Sequence, residues 1–246
     1  MEELFYKIFE SLPRQGPGDV KSLQKAYKKL SGLPVHPDIL DVGCGTGGQT
    51  LKLASISGGS ITAIDNHGPF IEILKKNTAQ SGYKNRIIAL VQDMKTMDFE
   101  KESFDLIWCE GAAYFMGIGN ALSAWKQFLR PEGYVVISEL VWLKKEAPKE
   151  IRDFFQNEYP EMKYYSDIFP VIKDAGYKKI AYFALPGQSW WDDYYLPIMK
   201  KIEEIRPDYT GDENAKEVFD IFMLEINMHR KYSEFYGYGF YVMRKE

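Results

Sequence analysis

Twelve residues, ILDVGCGTGGQT from Ile39 to Thr50, restrict this chain more than any other stretch. Apolar residues that run into closely spaced glycines, and then into a helical pattern, describe a strand turning sharply into a helix. The alternation continues through ITAID, a helical stretch from Phe70 to Ala79, IIALVQ and FDLIWCE. A helical stretch from Leu122 to Leu129 then precedes YVVISEL. Short apolar strands separated by helices need crossover connections, so the expected fold is α/β, a parallel sheet between two helical layers.

The flanks differ from this core. Leu4, Phe5, Ile8, Phe9 and Leu12 recur at helical spacing, RQGPG reads as a turn, and Asp19 is placed to cap a second helix. Beyond Trp142 come polar helical stretches near residues 147–158 and 165–175, a strand from Lys178 to Leu185, and two further helical stretches before the final strand YGYGFYVMRK. Repeats, low-complexity tracts and linkers are absent from the sequence, and 246 residues suffice for a substantial core. The expected organisation is one domain over 1–246: N-terminal helices in 1–36, a ligand-binding core in 37–141, and helices with the last two strands in 142–246.

A net charge of −4 gives no positive field to gather a nucleic-acid backbone, so no nucleic acid is expected as a partner. YVVISELVWL, the most apolar run, is broken by Glu139 and is far shorter than a bilayer requires, so no membrane is expected either. The opening MEELFYKIFE lacks the basic and apolar regions of a secretory signal, and Cys44 and Cys109 sit in strand-like surroundings that suit reduced thiols. Together these imply a mature chain that begins here, a cytoplasmic location and a monomer or homodimer. His36, His67 and His229 show no metal-ligand spacing, so no metal is expected.

Gly43, Gly45 and Gly48 satisfy GxGxxG, which admits a nicotinamide dinucleotide. Asp41 argues otherwise. It ends the strand two residues before Gly43, where a carboxylate aimed at a pyrophosphate would repel it and one aimed at a cationic ligand would attract it. DVGCGTGG resembles the first motif of the class I S-adenosylmethionine-dependent methyltransferases, acid-x-Gly-x-Gly-x-Gly, with Asp41, Gly43, Gly45 and Gly47 in register.

That resemblance, which covers about Pro37 to Val141, implies a Rossmann-like doubly wound sheet in three layers. The sheet would be mostly parallel with an antiparallel last strand, and a helical elaboration would precede that strand. It also implies S-adenosylmethionine as cofactor and methyl transfer to a small-molecule acceptor by in-line displacement. The glycines would let the backbone pass close to the cofactor, where a Cβ would intrude. Asp65, ending ITAID, would accept bonds from the ribose hydroxyls with Asn66 beside the adenine; Asp93 and Met94 would meet the adenine, and Glu110 would lie near the reaction centre. Two other readings remain open, a NAD-dependent oxidoreductase and a non-catalytic S-adenosylmethionine-binding protein.

Acceptor-side residues are read from type and position. Glu139 interrupts an apolar strand near its carboxyl end and is the candidate catalytic carboxylate, with a structural partner as the alternative. Tyr114, Trp142, Trp190 and Trp191 are the candidate substrate contacts. With Tyr194 and Tyr195, the paired tryptophans would form an aromatic wall or simply pack a helix. Arg14, in RQGPG with Gln15, suits a cofactor carboxylate or a surface turn equally. His229 lies on the helix face of Phe222 and Ile226, which fits packing better than a base.

Overall fold

Strand composition dictates the order of the sheet. The computed structural model describes residues 1–246. Its strands are β1 (Asp38–Val42), β2 (Ser60–Asp65), β3 (Ile87–Val91), β4 (Phe104–Glu110), β5 (Leu129–Trp142), β6 (Tyr177–Ala184) and β7 (Tyr236–Lys245). β1, β4, β5 and β7 are buried almost throughout and fill the middle, whereas β3 leaves Ile88 and Val91 exposed and forms one edge. β6, on which both Lys178 and Lys179 are exposed, forms the other edge, a placement that discourages further pairing. The order is β3-β2-β1-β4-β5-β7-β6. Pairings from β3 through β5 are parallel, and β7 runs antiparallel to both β5 and β6. This is the doubly wound sheet with an inserted last strand that the resemblance implied.

The helices are α1 (Glu2–Glu10), α2 (Val20–Tyr27), α3 (Gly48–Ser57), α4 (Gly68–Ser81), α5 (Ile118–Trp125), α6 (Lys149–Glu158), α7 (Ile168–Asp174), α8 (Leu196–Ile205) and α9 (Glu213–Tyr232). The pleat sorts their contacts into two cores. Ile39, Leu106, Trp108, Val136, Phe240 and Val242 face α1, α2, α3, α4, α8 and α9; Leu40, Ile107, Val135, Ile137 and Tyr241 face α5 and α7. The helix expected to reach Leu129 ends earlier, because Leu129 already pairs with Phe104 as the start of β5. No helix is long and apolar enough to cross a membrane.

α2 is fixed by its cap. Asp19 accepts from the Ser22 backbone N–H at 2.7 Å and from the Ser22 hydroxyl at 2.8 Å, and the Ser189 hydroxyl bonds the same carboxylate from far along the chain. These bonds to the charged form hold the Asp19 carboxyl below its ordinary value against the opposing effect of burial. Asp19→Ala should therefore destabilise the protein by about 1 to 2 kcal/mol in urea unfolding, and a change within error would show that the cap is dispensable.

Candidate active site

The carboxyl ends of β1, β2, β3 and β4 open into one cavity of about 600 Å³, in the range of small-molecule sites. Gly43, Gly45, Asp65, Asn66, Asp93, Met94 and Glu110 all line it, which brings together four consecutive strand ends. Asp65 is anchored by backbone donors, Gly45 N–H at 2.9 Å to one oxygen and His67 N–H at 3.0 Å to the other. Each oxygen keeps a lone pair for a further donor. Asp93 is positioned by the Lys95 N–H at 2.8 Å.

The N-terminal segment closes this half of the cavity. Gln15 accepts from the Thr46 backbone N–H at 2.8 Å and donates to the Phe9 carbonyl at 3.0 Å, which ties the RQGPG loop to the glycine turn. α1 lies across the opening: Tyr6 stacks on His67 with centroids 4.0 Å apart, and Glu10 bonds the same imidazole at 2.8 Å. Arg14 is buried and pairs with Glu110 at 2.6 Å, while Trp108 donates to the other Glu110 oxygen at 2.7 Å. The surface reading of Arg14 is thereby excluded, and it lines the cavity.

Several expected site residues lie elsewhere. Asp41 does not point into the crevice: it is fully buried below the turn, accepts from the Thr50 hydroxyl at 2.6 Å, and is pushed up to about 7 by burial. Gly47 caps α3 and packs against Leu74 rather than lining the cavity. The glycines are needed first for protein packing. A Cβ on Gly43 would lie 2.6 Å from the Cβ of Ala112, and one on Gly45 would overlap the Gln15 amide that holds the loop. Both have positive φ.

Glu139 needs the same correction. Leu140 lines the cavity, so the pleat turns its neighbour Glu139 to the opposite face, beside Cys109. There it is fully buried just behind the cavity tyrosines Tyr114, Tyr159 and Tyr238, accepts from the Leu140 N–H at 3.2 Å, leaves Oε2 without a close partner, and is pushed up to about 8 by burial. Trp142 packs edge-on against Phe155 and Trp191 beside Tyr195 and His229, both outside the lining. His229 stacks on Trp190 at 4.2 Å with neither ring nitrogen bonded, a packing role, and burial lowers it to about 4.

The second half of the cavity is aromatic. Tyr114 follows β4, Tyr159 follows α6, Trp190 precedes and Tyr194 lies within a π-helical turn (Trp191–Tyr195), and Tyr236 and Tyr238 project from β7. Of these, Tyr114 and Trp190 were expected as substrate contacts. Glu225 of α9 joins them and accepts from the Tyr195 hydroxyl at 2.9 Å. Its signal in the sequence is an acid on the apolar stripe of Phe222, Ile226 and His229. Tyr6 and His67 escaped because periodicity shows that α1 and α4 are amphipathic, not what meets them. No group of three or more His, Cys, Asp or Glu is placed to hold a metal ion.

A glycine turn and acidic loops around one cavity at the carboxyl ends of parallel strands define a nucleoside-binding α/β fold. The family model described as Methyltransferase domain matches residues 39–133. The ubiquinone/menaquinone biosynthesis C-methyltransferase UbiE of Geotalea daltonii is 32% identical over 65% of this chain, which spans 66% of that protein. The demethylmenaquinone methyltransferase of Chlorobaculum tepidum is 26% identical over 69% of this chain and 77% of its own length. A SAM-dependent methyltransferase from Geobacter sulfurreducens, solved with S-adenosyl-L-homocysteine, has a TM-score of 0.84 over 99% of this chain and 98% of its own at 21% identity.

This chain belongs to the class I S-adenosylmethionine-dependent methyltransferases, and S-adenosylmethionine is its cofactor. The cavity suits that group: its first half offers a backbone turn and carboxylates to hydroxyls and amines, while Arg14, the buried cation, is already paired. The oxidoreductase reading is set aside.

Glu139 yields a test of the sheet's interior. An unfolded chain releases this proton above about pH 4.5, whereas the folded chain keeps it until about pH 8. The associated stability is complete below pH 4.5 and is lost as pH rises through 8. Glu139→Gln, neutral throughout, should gain on the parent by on the order of 1 to 3 kcal/mol between pH 5 and 8 in denaturant titrations. Parallel pH profiles would show that Glu139 is not desolvated.

Proposed function

We propose that the protein methylates a small organic acceptor held in the aromatic half of the cavity. The observation that carries this reading is that the strand-end residues and the aromatic side chains line one continuous cavity, with Gly111 after β4 lying against Tyr238. Bound S-adenosylmethionine supplies a methyl carbon already activated by its sulfonium, open to in-line displacement. The protein's task is then to position two ligands and exclude water.

The residues fit those tasks. Asp65 would hold the ribose hydroxyls, Asn66, Asp93 and Met94 the adenine, and Gly43 and Gly45 the turn beneath them. Glu110, committed to Arg14 and Trp108, would keep the floor rigid at the end of β4 and is poorly placed to move a proton. Tyr114, Trp190, Tyr194 and Tyr238 would pack the acceptor. In this division residues 1–36 roof the cavity, 37–141 bind the cofactor and 142–246 choose the acceptor. Two buried free thiols, Cys44 and Cys109, support a cytoplasmic setting, and a monomer or homodimer would suffice because this chain alone encloses the cavity.

Isothermal titration with S-adenosylhomocysteine and, separately, NAD tests the cofactor half: micromolar binding of the first alone is expected. Transfer of labelled methyl to an acceptor library tests the second half, since a purely binding protein would give no turnover. Asp65→Ala should weaken S-adenosylhomocysteine binding by about 1 to 3 kcal/mol through loss of charge-assisted bonds. Unchanged affinity in a folded variant would remove Asp65 from the ribose site.

A further inference from the structure

Charge is distributed unevenly in the aromatic half of the cavity. Glu225 projects into it from α9, and its one protein partner is the neutral Tyr195 hydroxyl at 2.9 Å; it forms no ion pair. The basic side chains lining the whole cavity are Arg14, His67 and Lys95. Arg14 is bonded to Glu110 and His67 to Glu10, and Lys95 sits on the Asp93 loop of the cofactor half. Glu158, at the end of α6, adds a second carboxylate to the lining near Tyr159.

Aromatic rings surround this charge. Tyr114 and Tyr159 lie 5.6 Å apart by centroid, and Trp190 lies 5.3 Å from Tyr238. Ring faces attract a cation, and the attraction grows when water is excluded. A carboxylate in the same enclosure adds to it, repels an anion, and is left desolvated and uncompensated by a neutral guest. Burial raises the Glu225 carboxyl above its ordinary value, an effect that an adjacent cation would reverse.

Building on the acceptor chamber described above, we infer that the acceptor is a small cationic amine, protonated or quaternary, whose charge rests between Glu225 and the tyrosine and tryptophan faces. Ile221 and Leu224, exposed at the mouth of the cavity one turn or less from Glu225, give room for an apolar body attached to that amine. Glu225 is thus a specificity residue for the acceptor and stands apart from the cofactor contacts.

The test is binding, with protein saturated in S-adenosylhomocysteine and titrated with three probes of one shape: phenethylamine, 2-phenylethanol and phenylacetate. The amine should bind at least about tenfold tighter than the alcohol, and phenylacetate weakest of all. Glu225→Gln should bring amine and alcohol to within about twofold of each other while S-adenosylhomocysteine affinity stays unchanged, which also reports that the variant is folded. An amine that binds no better than the alcohol, an anion preferred to both, or an amine preference that survives Glu225→Gln would overturn the inference. Failure of the parent protein to bind S-adenosylhomocysteine would overturn the cofactor reading and this inference with it, whereas tight S-adenosylhomocysteine binding without amine preference would sink only the latter.

Discussion

The site depends on one amide. Gln15 reaches from the N-terminal loop to Thr46, accepting from its N–H and donating to its hydroxyl at 3.1 Å, while the same NH₂ group bonds the end of α1. These bonds satisfy a backbone donor of the glycine turn and fix the loop that carries Arg14. Arg14 in turn neutralises Glu110 at the end of β4, a charge that burial would otherwise make costly. With the loop fixed, α1 can lay Tyr6 on His67 and Phe5 on Phe222 and complete the enclosure. A turn that looks like a ligand motif in the sequence is thus also the socket for a segment outside the core.

The strands were legible because each is an apolar run bounded by turn residues, and buried parallel strands need little else. Asp65, Asn66, Asp93 and Met94 could be placed on the cavity wall from the sequence because they end or follow such runs, and strand ends in this topology face one crevice. Asp41 and Glu139 were misjudged for a shared reason. Both lie inside strands, where a one-residue step reverses the face, and the sequence does not show which neighbour defines the pleat. Glu139 does break an apolar strand, but parity turns it away from Leu140 to the sheet face of Cys109, behind Tyr114, Tyr159 and Tyr238 and outside the lining.

The aromatic half was harder to read because its parts come from separate segments: a loop after β4, the end of α6, a π-helical turn, α9 and β7. Local periodicity cannot say that Tyr114, Tyr159, Tyr194 and Tyr238 meet. The π-helical turn illustrates the difficulty, since its extra residue per turn shifts Trp190, Trp191, Tyr194 and Tyr195 off the helical wheel. Trp190 then reaches the chamber with His229 stacked on it, while Trp191 lies outside the lining under Arg230.

The position of β7 between β5 and β6 also orders events in time. β6 pairs only with β7, and β7 supplies Tyr236 and Tyr238. As the chain leaves the ribosome, the strands from β1 to β5 can assemble early, but β6 must wait without a partner until β7 has been synthesised. Contacts this distant in sequence form slowly, and an unpaired edge remains exposed meanwhile. The cofactor half could therefore take shape during synthesis, while the half that selects the acceptor is assembled last.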